Sequence, residues 1–175
     1  MDQKTKKKLE EIIRVNHAGE LGAQNIYNSQ IKFCRDNKLK KKLEKISQEE
    51  KVHYDFFEDQ ILKKRVRPTI MSPAWKVGSF FLGAITSRLG SNYVHACTEA
   101  VEEVIVKHYE NQIKYLEKKR IDENLKKKII EFCKDEDKHR KNADQSIRND
   151  DFRLRLFKSV TRNITKLAIK ISKKV

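Results

Sequence analysis

The chain has 175 residues, with 40 Lys and Arg against 25 Asp and Glu, for a formal net charge of +15. That length suits one domain, 1–175, whose core is large enough to fold unaided. Five Gly and two Pro exclude a loop-rich sandwich or a disordered chain, and 37 % charged against 38 % hydrophobic residues points to amphipathic helices. Apolar residues recur at helical spacing, and no stretch alternates with period two. A first helix is expected over about 5–34, ending at Arg35-Asp36-Asn37, and a second over about 39–64. Arg65-Val66-Arg67-Pro68-Thr69 interrupts the pattern, because proline disfavours helix in the residue before it. The least polar part follows, 70–89, holding Trp75, Phe80 and Phe81 together with Gly78 and Gly83. Further helices are expected over about 92–118 and 123–147, and a last one over 152–175, opened by the capping cluster Asn149-Asp150-Asp151. The fold class is therefore all-α: four long helices in two antiparallel hairpins, plus a short apolar helix and a basic C-terminal amphipathic helix.

The longest apolar stretch, between Lys76 and Arg88, falls well short of the ~18 residues a membrane span needs. The first residues, Met1-Asp2-Gln3-Lys4, carry no apolar signal core, so export is not expected. Cys34, Cys97 and Cys133 form no CxxC, which suggests a reducing compartment and no thiolate metal site. Positive charge is concentrated at the end. Arg153, Arg155, Lys158, Arg162, Lys166, Lys170, Lys173 and Lys174 face no Asp or Glu after position 151, so this stretch supplies +8. Such asymmetry points to an anionic surface, membrane or nucleic acid.

Two segments read Glu-x-x-His: Glu50 with His53, and Glu136 with His139. Residues three apart share a helix face, so each pair can offer an oxygen and an imidazole nitrogen to one ion. A metal site between helices also needs a carboxylate from each partner helix at the same height. Glu20 and Glu50 lie equidistant from position 35, in the first hairpin break, and Glu102 and Glu136 from position 119, in Lys118-Lys119-Arg120. Each lone Glu is thus opposite a Glu-x-x-His pair, roughly 22 Å from its turn. Stripe patterns place all six inward. Glu102 lines up with Thr98, Ile105, Tyr109 and Ile113, whereas Glu103 joins a solvated stripe of Glu99, Lys107, Glu110 and Lys114. Four buried carboxylates would destabilise the core by several kcal/mol each unless compensated, and two divalent cations would balance them. An oxygen-rich set with two imidazoles and no sulfur suits iron or manganese better than structural zinc. The pattern resembles that of the ferritin-like di-iron carboxylate proteins.

Around Glu20 the chain reads Ile12-Ile13-Arg14-Val15-Asn16-His17-Ala18-Gly19-Glu20-Leu21-Gly22-Ala23. This block resembles the signature of the demethoxyubiquinone hydroxylase family, the di-iron monooxygenases of ubiquinone biosynthesis. The resemblance continues through Arg65 to Thr69, Ala96-Cys97-Thr98, Ala100-Val101-Glu102-Glu103, His108-Tyr109 and Asn111-Gln112, over nearly all of 10–175. Asn16 stands where that family usually has Asp. The resemblance implies metal ligands at Glu20, Glu50, His53, Glu102, Glu136 and His139, two iron ions, and O2-dependent hydroxylation of a polyprenylated demethoxyubiquinol ring. Glu50 and Glu136 are expected to bridge, with Glu20 and Glu102 terminal. A quinol ring is electron-rich enough to accept an electrophilic oxygen. No Gly-rich dinucleotide motif marks the reductant, which is left open between NADH acting directly, a reductase and the quinone.

Other residues keep two readings. Gly19 and Gly22 fit either close approach of substrate or a neighbouring helix, or plain packing. Tyr109 could donate to a ligand or carry an electron, or simply fill the core. His17, three residues before Glu20, is a candidate to orient it, and His95 and His108 lack a carboxylate at i±3. The segment 70–89 and the helix 152–175, with Leu156, Val160, Ile164, Leu167 and Ile171 along one side, are expected to meet anionic lipid. Packing on the bundle is the alternative. The expected location is the cytoplasmic face of the cell inner membrane, bound peripherally, with a homo-oligomer or a lipid-binding partner protein left open. An iron-storage or peroxide-scavenging protein would need neither segment, and no aromatic residues interleave the basic tail as nucleic-acid stacking requires, so no nucleic acid is expected.

Overall fold

The helical periodicity is matched by the backbone: the computed structural model, which describes residues 2–174, has six helices and no strand among them. These are α1 (Gln3–Phe33), α2 (Asn37–Lys64), α3 (Ser72–Leu89), α4 (Ser91–Lys119), α5 (Glu123–Ser146) and α6 (Phe152–Ser172). Each expected helix is present to within a few residues. Acidic side chains start four of them. Asp2 accepts from the Thr5 amide at 2.8 Å, Asp36 from Lys38 at 2.8 Å, Asp122 from Leu125 at 3.1 Å and Asp151 from Leu154 at 2.8 Å. Each satisfies an amide with no partner inside the helix, a contribution of about 1 kcal/mol. α2 stops at Arg65, which takes the left-handed conformation (φ 51°) three residues before Pro68 and turns its amide back to Ile61 and Leu62.

The helices gather into two compact units, one reaching up to Ser91 and including the chain's end from Leu167, the other running Asn92–Lys166. In the first, α1 packs on both α2 and α3. Gln24 Nε2 donates to the Ser47 carbonyl at 2.8 Å, which fixes the α1–α2 hairpin in the register expected from the break at position 35. Ile12, Ile13, Tyr27, Leu43 and Phe57 fill this core, each large apolar side chain stabilising by about 1.5–3 kcal/mol. α3 lies against α1 at Gly83, where an added Cβ would run into the Ile26 carbonyl oxygen. Ser29 Oγ donates to the Phe80 carbonyl at 2.7 Å, and Gln30 Nε2 to Thr86 Oγ1 at 3.1 Å. Trp75, expected at a lipid interface, is half-buried, and its indole N–H donates to Ser172 Oγ at 2.9 Å.

In the second unit, Cys133 Sγ of α5 meets the Val106 carbonyl of α4 at 3.9 Å. That contact puts Glu102, one turn before Val106, level with Glu136, one turn after Cys133. Val94, Leu116, Leu125, Ile129 and Phe132 make the core here. α6 departs from an ordinary amphipathic helix. Lys158 is buried with Nζ 3.3 Å from Asp150, and Arg162 binds Glu99 and Glu103. These two cations therefore face the protein and not an anionic surface. Glu99, read from sequence as solvated, is buried beneath Arg162. Phe152, Leu156, Val160, Ile164 and Leu167 are instead 48–72 % exposed.

Candidate metal centre

Each unit brings one carboxylate and one Glu-x-x-His pair inward. In the first, Glu20 of α1 and Glu50 and His53 of α2 are 3 %, 1 % and 2 % exposed. The stripes that carry them run into the core: Ile13 and Tyr27 lie in line with Glu20, and Phe57 follows His53 by one turn. His53 Nδ1 is 3.8 Å from an oxygen of Glu20 and 3.8 Å from one of Glu50. All three residues offer ligand atoms within 4.8 Å of one another. Those separations are too long for hydrogen bonds, and they suit atoms arranged about a common cation. Glu50 Oε1 is buried and accepts no hydrogen bond.

In the second unit Glu102 of α4 and Glu136 and His139 of α5 are equally buried. Ile129 and Phe132 precede the pair on its stripe and Ala143 follows, all buried. His139 Nδ1 approaches Glu136 Oε2 to 3.2 Å. Both triads therefore consist of two carboxylates and one imidazole, a net charge near −2 when the imidazole is neutral. One divalent ion per triad offsets it, and without a cation two carboxylates taken out of water are strongly unfavourable. The donors fit a hard or borderline metal that takes oxygen and imidazole. Nearby sulfur is not available as thiolate: burial, and then the Glu102 charge, push the Cys97 thiol up to about 12.

Other residues singled out from sequence fall as follows. Tyr109 is buried in the core of the second unit. Gly22 has open space where a Cβ would stand, so no helix approaches it closely. His108 shares a hydrogen bond with Gln112 at 2.7 Å. His17 does not spend its Nε2 on Glu20; that nitrogen meets Glu58 Oε2 of α2 at 2.6 Å. Glu58 was not identified from sequence. The hairpin register could have found it, because 17 and 58 are equidistant from the turn in the same sense as Asn28 and Ser47, which also bond.

The chain matches the family model described as "Ubiquinone biosynthesis protein COQ7" over residues 7–172. It is 42 % identical over 132 residues to the "NADPH-dependent 3-demethoxyubiquinone 3-hydroxylase, mitochondrial" of Dictyostelium discoideum, covering 75 % of this chain and 61 % of that protein. It is 41 % identical over 116 residues to the human protein of the same name, covering 66 % and 54 %. To the "3-demethoxyubiquinol 3-hydroxylase" of Rhodospirillum rubrum it is 36 % identical over 133 residues, covering 75 % and 62 %. The alignments thus span between about half and three-fifths of the length of these relatives.

Proposed function

The chain belongs to the COQ7 family of ubiquinone biosynthesis proteins, and we propose that it hydroxylates the ring of a polyprenylated demethoxyubiquinol with one atom of O2. The observation that carries this reading is the buried triad of Glu20, Glu50 and His53, with ligand atoms within 4.8 Å, in a member of this family. Its relatives are named as hydroxylases of this ring, and several of those names specify NADPH dependence.

Two iron ions are the proposed cofactor. Glu20, Glu50 and His53 supply the donors for one, and Glu102, Glu136 and His139 those for the other. Reduced iron held by these residues would supply the electrons that activate O2. Around it the chain's own residues set the conditions. Tyr27 and Phe57 in one unit, and Phe132 and Ile129 in the other, keep water from the carboxylates, which strengthens their hold on a cation. The electrons come from a nicotinamide-class reductant. Across one turnover the ring C–H and O2, with two electrons and two protons, become ring C–OH and water.

A polyprenylated substrate resides in the bilayer. No helix among the described residues is long and apolar enough to cross a membrane. Two helices nevertheless present apolar stripes outward: Val77, Phe81, Ile85 and Leu89 on α3, and Phe152, Leu156, Val160, Ile164 and Leu167 on α6. Arg153, Arg155, Lys166 and Lys170 remain exposed on α6 beside its stripe. We assign both helices to the cytoplasmic face of the inner membrane, lying in the plane of the interface. A stripe of this length against solvent favours lipid over packing on the protein itself.

The deciding experiment loads the protein with ferrous iron without oxygen, adds the demethoxyubiquinol, reduces, and then admits ¹⁸O2. One labelled oxygen in the ring supports the hydroxylase. Iron oxidation with an unlabelled quinol supports an iron-storage or peroxide-scavenging protein instead.

A further inference from the structure

His17 and Glu58 stand outside the metal donors, yet their arrangement is that of a proton path. His17 lies on α1 one turn before Glu20, about 4.5 Å along the helix axis. Its side chain is 6 % exposed, while that of Glu58 on α2 is 42 % exposed. The 2.6 Å contact between His17 Nε2 and Glu58 Oε2 therefore joins a buried imidazole to a carboxylate in water. Tyr54, one turn before Glu58, donates to the same oxygen at 3.3 Å and packs its ring 5.3 Å from the imidazole. These contacts hold the histidine in one orientation.

The other ring nitrogen is the informative one. His17 Nδ1 is buried and has no hydrogen-bond partner. A carboxylate acceptor at Nε2 places the proton on Nε2 and leaves Nδ1 as a bare lone pair inside the protein. Leaving such an acceptor unmatched costs about 1–3 kcal/mol, so the position is built to receive a proton or a hydrogen-bond donor in use. One end of the dyad meets solvent and the other is buried on α1, one turn before Glu20.

We propose that Glu58 and His17 form the relay through which protons pass between solvent and the buried site. This role rests on the hydroxylase reading, in which each turnover takes up two protons as one oxygen atom leaves as water. In a single passage the imidazole first exchanges its proton from Nε2 to Nδ1. Glu58, protonated from water, then gives its proton to the vacated Nε2 as Nδ1 releases its own inward, which returns the ring to the form with the proton on Nε2. No electrons move in this step, and the two electrons of the turnover come from the nicotinamide-class reductant.

The test uses the full iron-loaded chain with His17→Ala and Glu58→Gln, the second being a change at a half-exposed side chain that leaves the fold in place. Product formation in a single turnover with demethoxyubiquinol and O2 is expected to fall about a hundredfold in both. Millimolar imidazole should restore His17→Ala, and iron content should be unchanged. Independently of activity, ¹⁵N-histidine NMR of the zinc-loaded chain should show His17 protonated at Nε2 and bare at Nδ1, with the Nε2 signal shifted in Glu58→Gln. Variants within twofold of an active wild type overturn the relay alone, as does loss of iron, a proton on Nδ1 or absence of imidazole rescue. A wild type that makes no hydroxylated quinol overturns the functional reading and this role with it, whatever the tautomer.

Discussion

Arg162 of α6 reaches Glu99 of α4 through Nη2, 2.8 and 3.1 Å from the two carboxylate oxygens, and also pairs with Glu103. This pairing fixes the rotation of α6. Lys158 and Arg162 turn inward, and the apolar stripe that would ordinarily seek a core is left facing outward. Glu99 is buried, so removing Arg162 strands a carboxylate, and removing Glu99 leaves the guanidinium with Glu103 alone. Glu99→Ala should destabilise the protein by about 2 kcal/mol, lowering the melting temperature by about 5 °C. Thermal denaturation followed by circular dichroism measures it. A melting point unchanged within a degree would show that the pair contributes nothing to holding α6.

The outward stripe makes its own prediction. Leu156→Ser with Ile164→Ser removes two apolar side chains that are 54 % and 57 % exposed, so stability should change little. Binding to anionic vesicles should weaken about tenfold or more, each lost side chain removing roughly 1 kcal/mol or more of transfer free energy. Co-sedimentation with phosphatidylglycerol vesicles checks it. Binding equal to wild type would remove α6 from the membrane surface.

Glycines separate packing from open space. At Gly83 a methyl group would collide with the Ile26 carbonyl and crowd the Ser29 side chain, and backbone has no way to rotate aside. Gly83→Ala should cost about 1–3 kcal/mol by pushing α3 off α1. Gly22→Ala meets nothing within 4 Å; helix propensity then predicts a gain of about 0.5–1 kcal/mol. Urea unfolding of the two variants should therefore move in opposite directions.

Much of this was legible because long helices write their inward faces into the sequence. Ile13, Glu20 and Tyr27 fall on one stripe, and the equal spacing of Glu20 and Glu50 from the Arg35 break sets the hairpin register that the Gln24–Ser47 hydrogen bond displays. Glu99 was not legible. Its stripe of alternating charges is that of a solvated face, and only the return of α6 in three dimensions brings Arg162 over it. Glu58 was hidden for a related reason: an acid on a polar face acquires meaning only when a neighbouring helix presents His17. The pattern of α6 left its rotation open, because hydrophobic periodicity reports which residues share a side, not which side faces the protein.

Acid sensitivity follows from the same pairings. The hydrogen bond from Lys107, opposed by burial and helped by the Arg162 charge, holds the Glu103 carboxyl below its usual range. A carboxyl whose pKa is lower folded than unfolded contributes stability that is present above the unfolded value of about 4.3 and lost as pH falls through the folded value. Asp137 behaves alike, held down by hydrogen bonds from Lys141 and Arg140. Stability from these two groups should thus be flat from pH 7 to about 5 and decline below it. Glu103→Gln and Asp137→Asn together should flatten the acid limb relative to wild type while leaving the pH 5–7 region parallel. Because both side chains are partly in water, screening keeps the effect small, and 0.5 M salt should shrink it further. Urea midpoints at pH 3.5, 4.5, 5.5 and 7 provide the comparison. An acid limb as steep in the double variant as in wild type would assign the acid loss to other carboxylates.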